Sequence, residues 1–411
     1  MKRALVLGGG GCKGAYELGV YQALLEKNIP IDIVVGTSIG AMNGAMICQG
    51  HKQKLEDLWT NMTADQITLE GLNMDLNLSE LKKQTGPVKN FIKDYINEKG
   101  ADITPLKKII NDALDLDAFF DSPIEYGLVT TQFPSLKHVE MTKKTLTREN
   151  AANFILASAS AFPAFPMCKI EDDYYIDGGY VDNVPIDTAI KLGATECIVV
   201  DLNHDEACHK QYKKFPNILY IQPSQDLGTM LNFNDTLMKR NIRLGYLDTL
   251  KALGYYFGNI YTIEKSPNFK PMFMMKLLNI NARLQEYKMF NEKSLTQIIV
   301  ENQIDDKLDE EDFDLIAMEL LLDLFNFDFL KIYSTNFIQD LIIQTFNDQS
   351  QFHYRDLLLN IHEKSSKVNL LGCMTQKLLT SENFEHDLYI FSHLYPRLAL
   401  LAFYLYTLLH K

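Results

Sequence analysis

The strongest constraint on the fold is the pentapeptide Gly36-Thr37-Ser38-Ile39-Gly40, which lies between a hydrophobic run and a stretch of small residues. The run before it, residues 31–35, contains a predicted strand at residues 32–35, and residues 41–49 after it predict a helix rich in small residues. A serine flanked by glycines at a strand-to-helix turn has its hydroxyl exposed above the edge of a sheet. The pattern therefore predicts Ser38 as a nucleophile, and the alternative is a serine that only caps the helix.

A second glycine-rich turn, residues 8–14, precedes the pentapeptide 36–40, which we call the elbow. This turn lies between a short predicted strand and a predicted helix. Gly9-Gly10-Gly11-Cys12-Lys13-Gly14 fits the pattern of dinucleotide-binding turns. That interpretation needs an acidic residue at the end of the second strand to hold a ribose, and the elbow occupies this position instead. A Walker A loop does not fit either, because no Ser or Thr follows for magnesium. The turn is predicted to be an anion-binding nest of backbone N–H groups, with a simple packing turn as the alternative.

A serine nucleophile needs a base, and an aspartate is better placed for this role than any histidine. The histidines of the first half stand in polar, surface-like contexts: His51, His138, His204 and His209. Asp177 follows a predicted strand at residues 174–176 and precedes two glycines, so that its loop can approach another loop closely. The alternative for Asp177 is an ordinary Asp-Gly β-turn.

The composition is that of a globular protein, with 46% hydrophobic and 23% charged residues over 411 positions. A net charge of −13 argues against binding to nucleic acid. The six scattered cysteines have no zinc-like spacing, and they predict reduced thiols and no metal site. The longest apolar run, residues 398–409, is shorter than the ~20 residues that cross a bilayer. We therefore expect a cytoplasmic protein whose contact with membranes, where it occurs, is peripheral.

Strand and helix signals alternate through residues 1–254 and predict an α/β domain, with a mostly parallel central sheet flanked by helices. Over residues 255–411 the strand signals fade, and patterns rich in Leu, Phe and Tyr predict an all-helical C-terminal domain. Residues 398–409 are predicted to form its last buried helix, with contact at a lipid interface as the alternative.

Together these segments resemble the patatin-like phospholipases. The resemblance rests on the glycine turn with Ala15 and Tyr16, on the elbow, and on Asp177-Gly178-Gly179 followed by Asp182-Asn183-Val184-Pro185, all in the family's order. Residues 157–163 are also similar to the alanine- and serine-rich helix and proline turn before the family's aspartate. Gly8 departs from the Asp or Ser that members often carry there. The resemblance covers about residues 1–250 and does not extend to the C-terminal region.

The resemblance implies a Ser–Asp dyad without histidine, in which Ser38 is the nucleophile, Asp177 is the base, and Gly36 and Gly40 frame the elbow. It also implies that backbone N–H groups of the glycine turn form an oxyanion hole, and these belong to Gly9, Gly10, Gly11 and Cys12. The N–H of Ile39 is a further donor. Lys13 occupies the family's basic position.

The implied activity is hydrolysis of a lipid or other acyl ester without a cofactor or metal. Two alternatives stay open, a catalytically weak lipid-binding or interaction protein and a cofactor-binding oxidoreductase. The head group, the positional specificity and the oligomeric state are not predicted.

Overall fold

The computed structural model describes residues 2–61, 103–162, 164–284, 294–302, 308–348 and 364–410. Pro163, which belongs to the alanine- and serine-rich segment quoted above, lies outside these residues. The chain divides into two compact units, Met1–Leu253 and Gly254–Lys411.

The first unit is built around one sheet. Its strands are β1 Arg3–Leu7, β2 Ile33–Thr37, β3 Glu125–Phe133, β4 Lys137–Thr142, β5 Cys168–Ile170, β6 Asp173–Asp177, β7 Glu196–Val200 and β8 Ile218–Ile221. They pair in the order β5-β6-β3-β2-β1-β7-β8, and β4 pairs with β3 outside this path. Strands β3, β2, β1, β7 and β8 are parallel, whereas β4, β5 and β6 are antiparallel to their neighbours.

Helices connect and flank these strands: α1 Ala15–Glu26, α2 Ile39–Cys48, α3 Lys52–Asn61, α4 Thr104–Ala113, α5 Leu116–Asp121, α6 Ala151–Ser158, α7 Ile186–Lys191 and α8 Asp235–Ala252. Short 3-10 turns lie at Gly11–Gly14, Gly178–Tyr180 and Lys210–Lys214. The predicted mostly parallel sheet flanked by helices is confirmed. Strand β2 is buried throughout, as expected for a central parallel strand that is covered on both faces.

The register of the strands brings three loops to one edge of the sheet. Leu7 pairs with Gly36, so the glycine turn after β1 and the elbow after β2 begin side by side. Thr37 pairs with Val129, and the next residue of β3, Thr130, pairs with Asp177. Active sites of α/β proteins lie at this carboxyl edge of the parallel strands.

The second unit is mainly helical. Its helices are α9 Phe273–Leu284, α10 Leu295–Glu301, α11 Glu310–Leu324, α12 Thr335–Asp348, α13 Lys364–Leu379, α14 Phe384–Leu394 and α15 Pro396–Leu409. The predicted helical character is confirmed, but the unit is not all-helical as predicted, because β9 Thr262–Glu264 and β10 Ile332–Ser334 form a short parallel pair. Leu398–Leu405 of α15 are all buried, as predicted for a last core helix. Across the part of the chain that the structure describes, no helix is long and apolar enough to cross a membrane.

Candidate active site

Ser38 occupies a strained position between β2 and α2. Its backbone angles are φ 56° and ψ −125°, a conformation that favours glycine over residues with a side chain. A Cβ atom at Gly36 would lie 2.2 Å from the Gly40 carbonyl oxygen, and one at Gly40 would lie 2.5 Å from the Leu7 carbonyl oxygen. Both flanking glycines are therefore required by close backbone contacts, and the elbow presents Ser38 at the carboxyl edge of the sheet.

The Ser38 hydroxyl contacts a carboxylate and does not cap the helix. Its Oγ donates a hydrogen bond to Asp177 Oδ2 at 2.6 Å, and the side chain makes no capping hydrogen bond to α2. The interpretation of Ser38 as a helix cap is therefore wrong. Only 7% of Ser38 and 2% of Asp177 is exposed, so this contact is shielded from bulk water. Low exposure strengthens a hydrogen bond to a charged acceptor.

Asp177 uses its two carboxylate oxygens for different tasks. Oδ1 accepts the Gly179 N–H at 2.7 Å, so the residue also makes the Asp-Gly turn that was the alternative from sequence. The Asp177 N–H donates to the Ser160 carbonyl at 2.8 Å, and the Thr131 hydroxyl donates to the Asp177 carbonyl at 2.9 Å. These contacts fix the residue at both ends and leave Oδ2 directed at Ser38.

Ser158 supports the elbow from α6, a role that was not predicted. Its Oγ accepts the Ser38 N–H at 2.9 Å and donates to the Val129 carbonyl at 2.6 Å. The hydroxyl thus ties the strained Ser38 backbone to β3. Ser158 lies within the alanine- and serine-rich segment that supported the family resemblance, but nothing in its local sequence indicates a contact 120 residues away.

In the glycine turn, some backbone N–H groups are engaged and others are not. The Gly9 N–H donates to the Asn183 carbonyl at 3.1 Å, and the Cys12 N–H donates to the Met230 carbonyl at 2.9 Å. Among the described residues, the N–H groups of Gly10 and Gly11 donate to no backbone or side-chain acceptor. Of the four N–H groups predicted to bind an oxyanion, those of Gly10 and Gly11 are therefore the two still available in the described part of the chain, because an N–H that is already bonded cannot also hold an oxyanion well.

Two further features define the surroundings of these donors. Gly11 has φ +58°, and a Cβ atom there would lie 2.2 Å from the Met230 carbonyl, so only glycine fits. Ile39 is the first residue of α2, where backbone N–H groups have no partner within the helix. Its N–H follows Ser38 directly, which is the usual place of an oxyanion donor at a nucleophile elbow.

Within the described part of the chain, the Ser38 hydroxyl donates to Asp177 and not to a histidine. His209 Nε2 lies 3.4 Å from Asp182 Oδ1, and this contact raises the pKa of His209 above its ordinary value. The Asp182 carbonyl accepts a hydrogen bond from the Thr37 hydroxyl at 2.9 Å. His209 is therefore connected to the elbow through Asp182 and not through Ser38.

Neither a metal cluster nor a reactive thiol accompanies the serine. No group of three or more His, Cys, Asp or Glu side chains that could hold a metal is found in the described ranges. Cys12 in the glycine turn is buried, and burial raises the pKa of its thiol to about 11. A thiol with that pKa is protonated at neutral pH and is a poor nucleophile.

A mostly parallel α/β sheet that carries a serine at a strand-to-helix elbow defines a class of fold common among serine hydrolases. Residues 5–190 match the family model of the patatin-like phospholipases. This part of the chain belongs to that family.

The chain is also similar to several longer proteins. Neuropathy target esterase sws of Drosophila melanogaster is 24% identical over 298 residues, which cover 62% of this chain and 19% of that protein. The patatin-like phospholipase domain-containing protein ZK370.4 of Caenorhabditis elegans is 31% identical over 208 residues, 49% of this chain and 14% of that protein. Lysophospholipase NTE1 of Mycosarcoma maydis is 29% identical over 202 residues, 49% of this chain and 10% of that protein. The chain therefore matches at most about a fifth of the length of these relatives.

Proposed function

We propose that the protein is a serine lipid acyl hydrolase that uses Ser38 and Asp177 as a catalytic dyad. The observation that carries this proposal is the buried 2.6 Å hydrogen bond from Ser38 Oγ to Asp177 Oδ2. A carboxylate in this position can take the hydroxyl proton as the serine attacks an ester carbonyl. We assign the catalytic function to residues 1–254 and treat residues 255–411 as a separate helical domain.

The proposed reaction has two halves. Ser38 Oγ bonds to the ester carbonyl carbon while Asp177 Oδ2 accepts its proton, and the resulting tetrahedral oxyanion collapses to an acyl-enzyme. Asp177 returns the proton to the departing alcohol oxygen. A water molecule then attacks the acyl carbon, Asp177 takes one of its protons, and Ser38 recovers a proton as the fatty acid leaves.

The oxyanion would be held by the N–H groups of Gly10, Gly11 and Ile39. These donors lie in the glycine turn and at the start of α2, both of which begin at the same sheet edge as Ser38. Each well-placed donor of this kind is typically worth about 3–4 kcal/mol in the transition state. Hydrogen bonding of Gly9 and Cys12 elsewhere supports the choice of these three donors.

For the substrate we propose a phospholipid or lysophospholipid, since two of the relatives are named as an esterase and a lysophospholipase. The test is hydrolysis by the full-length protein of a panel of phospholipids, lysophospholipids, glycerides and acyl thioesters, together with labelling by a fluorophosphonate probe. We expect fatty acid release from a glycerophospholipid and stoichiometric labelling. Lipid binding without either result would favour the alternative, a catalytically idle lipid-binding protein.

We place the enzyme in the cytoplasm and propose that it meets its substrate by peripheral contact with a lipid surface. All six cysteines are free thiols, which is typical of a reducing compartment. Val129 of β3 pairs with Thr37, the residue before Ser38, and β3 continues for four more residues to Phe133. At ~3.3 Å per residue, Phe133 lies ~13 Å beyond Val129 along the strand. Leu136 in the following turn and Tyr174 opposite Phe133 are 54% and 43% exposed. This tip, which also carries the exposed acidic residues 171–173, extends on the side of the sheet where Ser38 lies.

The double substitution Leu136→Asp with Tyr174→Ser is expected to lower hydrolysis of vesicle-embedded phospholipid about tenfold, because it removes apolar contact with the lipid. Hydrolysis of a water-soluble short-chain ester is expected to stay within about twofold, since neither residue contacts the dyad. Phe215→Ser is the matched control: it is 52% exposed but precedes β8, at the opposite edge of the sheet. Equal losses on both substrates, or an equal effect of Phe215→Ser, would contradict interfacial contact through the tip.

A further inference from the structure

Three buried polar side chains from three helices form a hydrogen-bonded network beside the elbow. Asn43 of α2 donates from Nδ2 to Glu17 Oε2 of α1 at 2.8 Å and to the Gly14 carbonyl at 3.1 Å. Its Oδ1 accepts the indole N–H of Trp59 in α3 at 2.9 Å. Glu17, Asn43 and Trp59 are all fully buried. Asn43 therefore joins the helix that follows the glycine turn to the helix that follows Ser38.

Glu17 is the unusual member of this network. Its Oε1 is buried and has no hydrogen-bond partner among the described residues. Burial raises the pKa of Glu17 well above its ordinary value, and the contacts with Asn43 and the Gly8 backbone lower it by less. Burial of a carboxyl group with an unpartnered oxygen lowers the stability of the fold, and an apolar residue in the same space would not. We therefore expect Glu17 to have a function.

The network lies where the glycine turn contacts the elbow. Glu17 lies near the Gly8 backbone, and a Cβ atom at Gly40 would be only 2.7 Å from the Gly8 carbonyl oxygen. One residue further, a Cβ atom at Gly9 would lie 3.1 Å from Ser38 Cβ. A shift of α1 against α2 would thus change the distance between the serine and the N–H groups of the turn.

We propose that Glu17 and Asn43 are positioning residues that hold the glycine turn against the nucleophile elbow, so that the N–H groups of Gly10 and Gly11 and that of Ile39 point to the same oxygen. This inference rests on the proposed acyl hydrolase function. Neither side chain contacts the reacting atoms. Their effect is on the transition state, since the geometry they fix is that of the oxyanion donors.

The test compares Glu17→Ala with Glu17→Gln in the full-length protein, using a water-soluble short-chain ester. Glu17→Ala is expected to lower kcat about 10- to 100-fold with KM within twofold, because a displacement of about 1 Å at donors has that effect. Glu17→Gln retains a side-chain oxygen that can accept from Asn43 Nδ2, and it is expected to keep kcat within about threefold. If Glu17 contributed only to folding, Glu17→Ala would lower the amount of folded enzyme and leave kcat per folded molecule unchanged.

Tyr16→Phe is the matched control for stability. Tyr16 precedes Glu17 on α1 and is fully buried. Its hydroxyl donates a hydrogen bond of 3.0 Å to Oδ2 of Asp248, which belongs to α8. We expect Tyr16→Phe to lower the Tm without lowering kcat per folded molecule. The double variant Glu17→Ala with Asn43→Ala is expected to lose little more than the worse single variant, since the two residues act through one contact.

The outcomes separate this inference from the proposed function. If Glu17→Ala keeps kcat within twofold of the parent, or lowers kcat no more than Tyr16→Phe does, the positioning role is overturned while hydrolysis by Ser38 stands. If the parent protein releases no product that depends on Ser38, the proposed function fails first.

Discussion

Ser38→Ala is expected to lower kcat for ester hydrolysis by at least ~10³-fold and to abolish labelling by a fluorophosphonate probe. The Ser38 hydroxyl is the group that donates to Asp177 Oδ2 at 2.6 Å, and it is the nucleophile of the proposed dyad. The measurement is initial-rate hydrolysis of a soluble ester, corrected for the uncatalysed rate, with gel detection of the probe.

Ser160→Ala is the matched control for this substitution. Ser160 is fully buried and its Oγ donates to the Leu156 carbonyl at 2.8 Å, within its own turn of chain. It is expected to keep kcat within about threefold. Activity of Ser38→Ala close to that of the parent would show that another residue is the nucleophile.

The strain at Ser38 gives a further expected result. With φ 56°, a glycine at this position relieves the conformational strain, whereas an alanine retains it. Ser38→Gly and Ser38→Ala both lack the hydroxyl, and we expect the glycine variant to have the higher Tm. Thermal unfolding of the two variants measures the difference directly. The native residue would then be one that favours activity over stability.

Asp177→Asn is expected to lower kcat by about 10²- to 10⁴-fold with a small change in KM, because an amide cannot accept the serine proton. Asparagine keeps an oxygen for the Gly179 N–H and can donate from its amide to Ser38 Oγ, so the turn is expected to remain. Circular dichroism and Tm establish that the variant is folded, and single-turnover acylation measures the chemical step.

Asp173→Asn is the control for charge removal on the same strand. Asp173 begins β6 and is exposed, four residues before the proposed base. The control is expected to behave like the parent. If Asp177→Asn retains more than about a tenth of the parent kcat, or if Asp173→Asn is equally impaired, Asp177 is not the base.

Several elements could be predicted from sequence because their signals are local. Alternating hydrophobic runs and helical periodicity predicted the parallel core, and the apolar character of residues 398–409 predicted a buried helix. Strand β5 and the pair β9–β10 were missed. Each of these strands has only three residues, and their pairing depends on partners elsewhere in the chain.

The site residues show the same division. Glycine at positions 36 and 40 follows from the geometry of a tight turn, which is visible in five residues of sequence. The engagement of the Gly9 and Cys12 N–H groups depends on the Asn183 and Met230 carbonyls, and no local pattern reveals those partners. Glu17 likewise has the appearance of an ordinary polar residue on a helix until the packing of α1, α2 and α3 is known.

The sequence by itself determined the local framework: an elbow that must present Ser38, a glycine turn that can bind an anion, and an aspartate free to approach another loop. These features are set by short-range steric and hydrogen-bonding rules. Only the tertiary structure decided which groups meet. Ser38 and Asp177 lie 139 residues apart, and their contact depends on the register of β2, β3 and β6. Long-range pairing is fixed by how the whole sheet packs, and no single segment of the chain contains that information.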